Sequence, residues 1–348
     1  MVGAGEEPVP EPVGRPPTEL PSPERPAVAT APESRFRAWL GSPLALIPLI
    51  LVLVVAAVLL IASGFRYFGP SFWSADYNFV PGSPNQSIWG IGVFVTGTAI
   101  TAGLALVLAT VLSLALSISI VVYLPSTPSR ILTILTNLLA GIPSVVYGIW
   151  GFVILAPYFG LTLEPSLRDA IGWIPGFGGP ESAIGPHGIL LAVFLLTIMI
   201  IPLTTALMRE AMRSVPNDLV EAGLALGATR WEVARRVRMR SARLGIGSAI
   251  LLGFGRAVGE SVAVAMVIGA ETKLPVSLYS ASTTMASFIF YQLDSAFFYP
   301  DLLQFLVEIA LVLLGIALAV NLVAQRLTTA EIATSTTVGA AGAPEGAR

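Results

Sequence analysis

The sequence has no cysteine, one histidine and one lysine, and only 11% of its 348 residues are charged. Without thiols it can form no disulfide, thiolate nucleophile or cysteine-ligated metal centre. His187 has no second imidazole near it in the sequence, so a capping or interfacial role is expected instead of metal binding. Lys273 is followed by Leu274, so the G-x-x-x-x-G-K-[ST] loop that binds ATP phosphates is missing. The chain is therefore expected to be no enzyme and to bind no cofactor or metal, leaving any use of ATP and Mg²⁺ to a partner.

Long apolar runs fill much of the chain. Hydrophobic residues make up 55% of the sequence, and the charged fraction is far below the roughly one quarter that is usual in soluble domains. A helix crosses a bilayer with about 20 consecutive apolar residues. The sequence therefore predicts an all-α integral membrane protein with six transmembrane helices. Their expected ranges are 43–65, 90–122, 131–157, 187–208, 246–269 and 301–324.

The segments around this region differ in composition. Residues 1–34 hold nine prolines and six glutamates, which predicts a disordered tail. Residues 35–89 are expected to contain the first transmembrane helix and an extracytoplasmic loop, and residues 90–325 the main transmembrane domain. Residues 326–348 are expected to form a C-terminal tail.

Arginines are distributed unevenly between the two sides of the predicted domain. Twelve lie on one side, eight of them between positions 209 and 243, whereas only Arg66, Arg168 and Lys273 lie on the other. Positive charge near helix ends is retained in the cytoplasm. Both termini are therefore expected to be cytoplasmic, as is the long loop 209–245.

This loop has the pattern of a short helix, a turn and a second helix. Ser214 is expected to cap the first helix, with Pro216 in its first turn, and Gly227 to interrupt it after Leu226. Thr229 and Glu232 have the T-x-x-E spacing of a capping box, which predicts that a second helix begins there. Trp231 is the only aromatic residue in this basic loop, which argues against nucleic-acid binding.

The first of these helices carries small and aliphatic residues along one stripe, at positions i, i+3, i+4 and i+7. The residues are Leu219, Ala222, Gly223 and Leu226. Such a stripe suits close approach of another protein. It also suits a helix that lies in the headgroup layer with its arginines facing anionic lipid. Periodicity leaves both interpretations open.

A family resemblance favours the first interpretation. Glu221, Ala222 and Gly227 fit the EAA-x-x-x-G signature of ABC-importer permeases, in which a short cytoplasmic helix-turn-helix docks into a groove of the ATPase. The sequence departs from the signature in two places. Gly223 replaces an alanine, and residues 237–240 replace the I-x-L-P that usually follows. By this resemblance, the residues that couple to the ATPase are Glu221, Ala222, Gly223, Leu226 and Gly227.

Three further stretches, at 94–110, 138–157 and 255–269, resemble phosphate-specific permeases of the PstC type. The resemblance covers about residues 90–325. It implies the type I ABC-importer (MetI-like) fold and alternating-access transport of phosphate across a bacterial cell membrane. It also implies four partners: a second permease subunit of the PstA type, two ATPase subunits of the PstB type and a phosphate-binding protein of the PstS type. Permeation of molybdate or sulfate, ion-coupled secondary transport and a non-transporting membrane scaffold remain alternatives.

Two charges lie within the fifth predicted helix. Arg256 and Glu260 are four residues apart, so in a continuous helix they share a face and can pair. Gly255 and Gly259 flank them with the spacing that lets helices approach closely. Charges within a membrane are costly and usually face protein or water. Arg256 is therefore expected either to meet the permeating anion, with Glu260 holding its guanidinium, or to form a purely structural ion pair.

Other polar residues of the predicted helices are candidates for the same pathway. The full set consists of Arg256, Glu260, Glu308, Thr98 and Ser144. Glu308 is expected to pair with an arginine or to extend toward the interface, and Asp301 to cap the sixth helix. Hydroxyls such as that of Thr98 more often bond to the backbone or to neighbouring helices. The sequence Gly141-Ile142-Pro143, before Ser144, predicts a kink.

Overall fold

The computed structural model describes residues 47–179 and 185–341, with side-chain surroundings for residues 50–83, 85–179 and 185–326. The chain divides into two compact units, Met1–Val55 and Ala56–Arg348. The predicted disordered tail 1–34 lies outside the described residues. The first unit is described only where helix α1 begins, and the second contains all the features below.

The described residues are mostly helical. The longer helices are α1 (Ile47–Ser63), α2 (Gly92–Tyr123), α3 (Ser126–Ala140), α4 (Ser144–Ile171), α5 (Ile189–Arg213), α6 (Asn217–Ala225), α7 (Arg230–Val233), α8 (Arg243–Gly259), α9 (Val262–Ile268), α10 (Met285–Ala296) and α11 (Pro300–Ala341). Helix α7 continues through the turns Ala234–Arg238 and Met239–Ser241. Short 3₁₀ turns occupy Pro70–Trp73 and Pro84–Gln86, and β1 (Tyr77–Asn78) pairs antiparallel with β2 (Ile88–Trp89).

Four of these helices, α2, α4, α5 and α11 to Arg326, are long and apolar enough to cross a membrane. Helices α8 and α9 form a fifth candidate span that is bent by 63°, and the apolar part of α1 is shorter. Each of the six predicted runs overlaps one of these elements. The prediction of a helical membrane protein is thereby confirmed.

The third predicted helix differs most from the prediction. Helix α3 ends at Ala140 and α4 begins at Ser144, so the run 131–157 is divided at Gly141–Pro143. Proline has no backbone N–H and disfavours helical geometry in the residue before it, which explains the break. Helix α4 then continues to Ile171 through wider π-helical turns at Gly151–Leu155 and Phe159–Leu163.

Two other helices were not predicted at their observed length. Helix α10 was missed, although Thr284 and Ser287 cap it reciprocally through their hydroxyls and backbone N–H groups. Helix α11 does not end near 324 but continues to Ala341. The residues from 326 on, expected to be a tail, therefore begin as a helical extension.

The core is formed where α2, α5 and α8 pack closely. The hydroxyls of Ser113 in α2 and Thr204 in α5 are hydrogen-bonded at 2.5 Å. A Cβ atom added at Gly253 of α8 would lie 2.6 Å from Thr204 Cγ2. Small residues at these positions allow the helix backbones to approach, which is how membrane helices gain packing energy.

A second cluster of aromatic rings joins the strand pair to the starts of α2 and α11. The rings of Tyr77 and Phe305 stack at 5.7 Å, and those of Phe94 and Phe288 at 4.0 Å. Aromatic contacts of this kind add to the burial of apolar area. They fix the position of the loop between α1 and α2.

Candidate functional site

The backbone of the fifth predicted span is broken between α8 and α9. Helix α8 ends at Gly259, and Glu260 adopts an extended conformation with φ −74° and ψ 116° before α9 starts at Val262. Irregular backbone at membrane depth is tolerated where it is buried in protein or lines a water-filled cavity. The 63° bend therefore marks a candidate site.

Arg256 and Glu260 lie on the two sides of this break. The predicted i, i+4 pairing requires a continuous helix, and α8 ends between the two residues. Among the described residues, the charged groups of Arg256 and Glu260 form no ion pair within 4.0 Å. The prediction that they pair is therefore wrong. Arg256 instead lies in the last turn of α8, where a positive charge complements the helix dipole. Its Nε atom is buried and has no hydrogen-bond partner within the described part of the chain.

The break between α3 and α4 lies beside the first. Tyr147 of α4 is buried, and its hydroxyl donates a 3.0 Å hydrogen bond to the carbonyl oxygen of Leu139 at the end of α3. Tyr147 also lies within electrostatic range of Arg256. A Cβ atom added at Gly148 would lie 2.7 Å from Met266 Sδ, so α4 and α9 are in close contact. The two irregular segments are thus neighbours.

The other predicted pathway residues are placed differently. Ser144 is half-buried and begins α4, directly after the break. Thr98 is buried; its hydroxyl donates to Phe94 O at 2.7 Å and accepts from Met285 N at 3.0 Å. This hydroxyl therefore joins α2 to the start of α10. The structure brings Ser144 near the breaks, whereas the contacts of Thr98 are structural.

Glu308 is completely buried in α11 and accepts a hydrogen bond from the backbone N–H of Tyr67 at 3.1 Å. Its Oε2 atom has no partner among the described residues. No arginine among the described residues pairs with Glu308. Arg66 pairs with Asp301 at 2.8 Å, and the Tyr67 hydroxyl donates to Asp301 at 3.3 Å. Asp301 was predicted to cap this helix, but α11 begins one residue earlier at Pro300, so Asp301 lies in the first turn, where its charge suits the helix dipole. Together these contacts hold the segment after α1 against α11.

His187 stacks on Phe152 of α4, with ring centroids 5.2 Å apart and the planes nearly parallel. It precedes α5 and, with Met266 and Tyr291, lines a cleft beside α9. Burial lowers the pKa of His187. Burial thus favours the uncharged ring, which packs against an aromatic neighbour.

The loop 209–245 forms the expected two helices, with one difference at its start. The hydroxyl of Ser214 donates to Ala211 O at 2.9 Å, so Ser214 ends α5 and does not cap α6. The residue before α6 is Pro216, which has no side-chain cap bond. The prediction of Ser214 as the helix cap is therefore wrong, because its hydroxyl turns back to the preceding helix.

The predicted capping box at the second helix is confirmed. Glu232 N–H donates to Thr229 Oγ1 at 3.3 Å, and Thr229 N–H donates to Glu232 Oε2 at 2.9 Å. The backbone N–H and then the hydroxyl of Thr229 lower the pKa of Glu232. This box fixes where α7 starts.

Glycines close the turn between α6 and α7. Gly227 has φ +84°, a conformation that favours glycine because it has no Cβ. A Cβ atom at Gly223 would lie 3.2 Å from Val233 Cγ2, which is tighter than an ordinary contact. Glycine in place of the alanine of the family signature therefore lets α6 and α7 pack closely. Gly223 faces α7, so it does not share the exposed stripe predicted for α6.

The outer surface of this helix pair carries exposed apolar side chains. Leu226 is 89% exposed and Leu219 50%, whereas Leu224, 43% exposed, lines a cleft with Val121 and Val122 of α2. Glu221 and Ala222 are exposed beside them. Isolated exposed apolar residues need no explanation, but a cluster of them on a short helix marks an interaction surface.

The loop is tied to the spans at both ends. Arg238 Nη1 donates to the carbonyl oxygen of Met212, near the end of α5, at 3.3 Å. After the turn Met239–Ser241, Ala242 leads directly into α8. The arginine-rich residues 237–240 therefore connect the loop to α8 without the proline of the family signature.

Residues 109–330 match the family of the binding-protein-dependent transport system inner membrane component. The chain belongs to this family. Both backbone breaks and the whole α6–α7 helix pair lie within the matched residues. As an inner membrane component, the chain is a transport subunit with several membrane-spanning helices and is not an enzyme.

Individual relatives cover most of this transport component. This chain is 36% identical over 261 residues to the phosphate transport system permease protein PstC of Haemophilus influenzae. The match covers 72% of this chain and 81% of that protein. The chain is 32% identical over 310 residues to PstC 1 of Mycobacterium tuberculosis, covering 82% and 90%.

A solved structure shows the same fold. A chain of a bacterial alginate ABC transporter, in complex with its alginate pentasaccharide-bound periplasmic protein, matches with a TM-score of 0.51 and 15% identity. The match covers 85% of this chain and 97% of that one. The predicted ABC-permease fold is thereby confirmed. The likeness is one of fold and says nothing about the transported solute.

Proposed function

We propose that this chain is the permease subunit of an ATP-driven ABC importer for inorganic phosphate. It would act with a PstA-type second permease, two PstB-type ATPase subunits that use ATP and Mg²⁺, and a PstS-type phosphate-binding protein. The relatives named PstC support the cargo. The observation that carries the mechanism is the exposed apolar surface on α6, which needs a partner to cover it.

Force from the ATPase would enter through α6 and the residues Glu221, Ala222 and Leu226. The capping box and the turn at Gly227 make the two helices a compact unit, so a displacement of α6 moves α7 with it. The hydrogen bond from Arg238 to Met212 passes the displacement to α5. The direct connection to α8 passes it to the break that carries Arg256. Alternating access then follows as these helices rock.

Arg256 would meet the permeating anion. A guanidinium offers a planar pair of donors that suits two neighbouring phosphate oxygens, and its Nε is not satisfied within the described chain. Because Glu260 does not neutralise it across one helix turn, the positive charge stays available. Ser144, directly after the neighbouring break, would offer a hydroxyl. Binding here must be weak, because a deep energy minimum would stop release.

The membrane orientation completes the proposal. The arginines of the 209–245 loop are retained in the cytoplasm by the positive-inside rule, which puts both termini there. The strand pair β1–β2 then faces the binding protein on the other side.

Co-purification with the ATPase tests the proposal. Glu221→Arg and Leu226→Asp are expected to release the ATPase subunits and abolish ATP-dependent phosphate uptake in membrane vesicles. Asp169→Arg and Leu274→Asp, at exposed positions outside the loop, are the matched controls and are expected to keep both. Retention of the ATPase by the two loop variants would contradict the docking. Uptake that follows an ion gradient without ATP would favour secondary transport, and preferential competition by molybdate or sulfate would change the cargo.

A further inference from the structure

Every side chain that lines the cleft between the start of α3 and the end of α5 carries a hydroxyl or guanidinium group. Its lining residues are Ser126, Thr127, Ser129, Arg130, Thr133 and Arg213. None of these residues is acidic, and the cleft is separate from the breaks around Arg256 and from the exposed face of α6. We propose that this cleft binds a phosphate group, carried either by an anionic lipid headgroup or by free inorganic phosphate.

Two arginines reach the cleft from different helices. Arg130 lies in the second turn of α3 and Arg213 is the last residue of α5. Within the part of the chain that the structure describes, neither forms an ion pair or a hydrogen bond through its guanidinium. Convergence of two guanidinium groups without an acid between them leaves a positive site that an anion stabilises, since arginine pairs well with phosphate oxygens.

A third arginine increases this positive charge. Arg209 lies one turn before Arg213 on α5 and is only 7% exposed, and the two guanidinium groups repel each other. Its Nε and Nη1 atoms are buried and have no partner among the described residues. Glu210, the neighbouring acid, is exposed and forms no ion pair within that part of the chain. Like charges four residues apart destabilise a helix, so a bound anion relieves a real cost.

The remaining donors come from α3. This helix of 15 residues begins at Ser126 without a side-chain cap bond and without an acid in its first turn. The free N–H groups and the dipole of a helix start favour an anion. Independently of the helix start, Thr133 lines the same cleft with a buried hydroxyl oxygen that has no partner in the described chain. Ser129 already donates its hydroxyl proton to Ile120 O at 3.0 Å.

The combination of donors selects the ligand chemistry. Guanidinium groups and backbone N–H groups only donate hydrogen bonds, and a threonine hydroxyl can donate one. A ligand that satisfies them must offer several acceptor oxygens and negative charge, as a phosphate group does. The cleft lies at the arginine-bearing end of the candidate span α5, where a lipid headgroup would sit. The site does not depend on which solute the protein transports.

Binding by the full-length protein in lipid nanodiscs tests the site. One probe is phosphatidylglycerol against phosphatidylcholine, measured by native mass spectrometry; the other is inorganic phosphate, measured by phosphorus NMR. The variant is Arg130→Gln/Arg213→Gln, and Arg240→Gln, an exposed arginine outside the cleft, is its control. The double variant is expected to bind at least about tenfold more weakly, since each lost charged hydrogen bond accounts for about that factor.

Saturable retention of phosphatidylglycerol alone identifies the headgroup as the ligand, and saturable binding of inorganic phosphate alone identifies the free ion; either supports the site. Thr133→Val removes only a hydroxyl and keeps the fold, so it decides the matter should the double variant fail to assemble. It is expected to weaken binding severalfold. The proposal is overturned if both variants bind both probes like the wild type, or if Arg240→Gln weakens binding equally.

Discussion

The hydroxyl of Tyr147 donates a hydrogen bond to the carbonyl oxygen of Leu139 across the gap between two helices. The last carbonyls of a helix need partners from outside its regular hydrogen-bond pattern. At the end of α3, Gly141 N–H donates to Leu138 O at 3.0 Å and Ile142 N–H to Leu139 O at 3.3 Å, and the Tyr147 hydroxyl adds a second bond to Leu139 O. Tyr147 therefore holds α3 and α4 together where the backbone itself is interrupted. It does so next to Arg256, so the same side chain supports the candidate pathway.

Removal of this hydroxyl tests its role. Tyr147→Phe is expected to destabilise the protein by about 1 kcal/mol, the usual net value of a hydrogen bond. Phosphate uptake should fall because the joint between α3 and α4 loosens. Thermal unfolding and vesicle uptake measure the two effects. Tyr158→Phe, at an exposed ring of the same helix, should change neither. Equal behaviour of the two variants would show that the bond has no role.

The guanidinium of Arg256 is expected to be required for transport and not for assembly. Arg256→Gln should lower phosphate uptake at least about tenfold, because one charged hydrogen bond to an anion corresponds to about that factor. Arg256→Lys should restore part of it, since an ammonium keeps the charge but lacks the planar fork. Uptake and ATPase co-purification are measured together. Lys273→Gln, at a highly exposed position, is the control. A normally transporting Arg256→Gln complex would remove this residue from the pathway.

Because Arg256 and Glu260 do not pair, exchanging their charges should not compensate for the loss of either one. Exchange of the two charges, Arg256→Glu with Glu260→Arg, is expected to rescue neither stability nor uptake. Residues without direct contact have additive effects, within about 0.5 kcal/mol. A double-mutant cycle on thermal unfolding measures the coupling. A coupling energy well above about 0.5 kcal/mol would show that Arg256 and Glu260 interact, as the continuous-helix prediction implied.

The turn conformation of Gly227 is expected to matter for coupling to the ATPase. Gly227→Ala places a Cβ in the left-handed region, at a cost of about 1–2 kcal/mol, and should loosen the α6–α7 pair. ATP-dependent uptake should fall while the membrane domain keeps its stability. Gly103→Ala, in α2 with open space around it, is the matched control. It should be neutral or slightly stabilising, because alanine favours helices. Full activity of Gly227→Ala would show that the turn tolerates the change.

The capping box between Thr229 and Glu232 should weaken as the pH falls. The pKa of Glu232 is lowered by the Thr229 backbone N–H, so its contribution is present above the ordinary value of about 4.5 and is lost as pH falls through the lower folded value. Amide hydrogen exchange at the start of α7, corrected for intrinsic rates, should show less protection in acid. Glu232→Gln can still accept a hydrogen bond but does not titrate, so its protection should not change with pH. Asp218→Asn, an exposed acid of α6, should follow the wild type, and an acid-induced loss in Glu232→Gln would refute the assignment.

Several features could be predicted from the sequence because they depend on neighbouring residues. Thr229 and Glu232 are three residues apart, and such spacing alone forms a capping box. Gly227 adopts the left-handed conformation that commonly ends a helix, and Pro143 interrupts one through its ring and missing N–H. The prediction for Ser214 failed because its hydroxyl had two local partners to choose between. Choosing between them requires the position of α5, which the sequence does not give.

Other contacts depend on residues far apart in the chain. Glu308 bonds to the backbone of Tyr67, 241 positions away, and a backbone N–H leaves no sequence signal for a partner. Thr98 and Met285 are similarly distant. The roles of these two polar residues therefore became visible only after the helices were packed.

The sequence by itself determined the class of molecule: apolar runs long enough to span a bilayer, no phosphate-binding loop, and a short helix pair between the fourth and fifth runs. These follow from hydrophobicity and local spacing, which act over one or two helix turns. Only the tertiary structure decided that α8 stops at Gly259, so that Arg256 and Glu260 separate. At this bend Gly148 of α4 packs closely against α9. Packing between helices must outweigh the helical hydrogen bonds that a bend breaks, and sequence patterns do not reveal that balance.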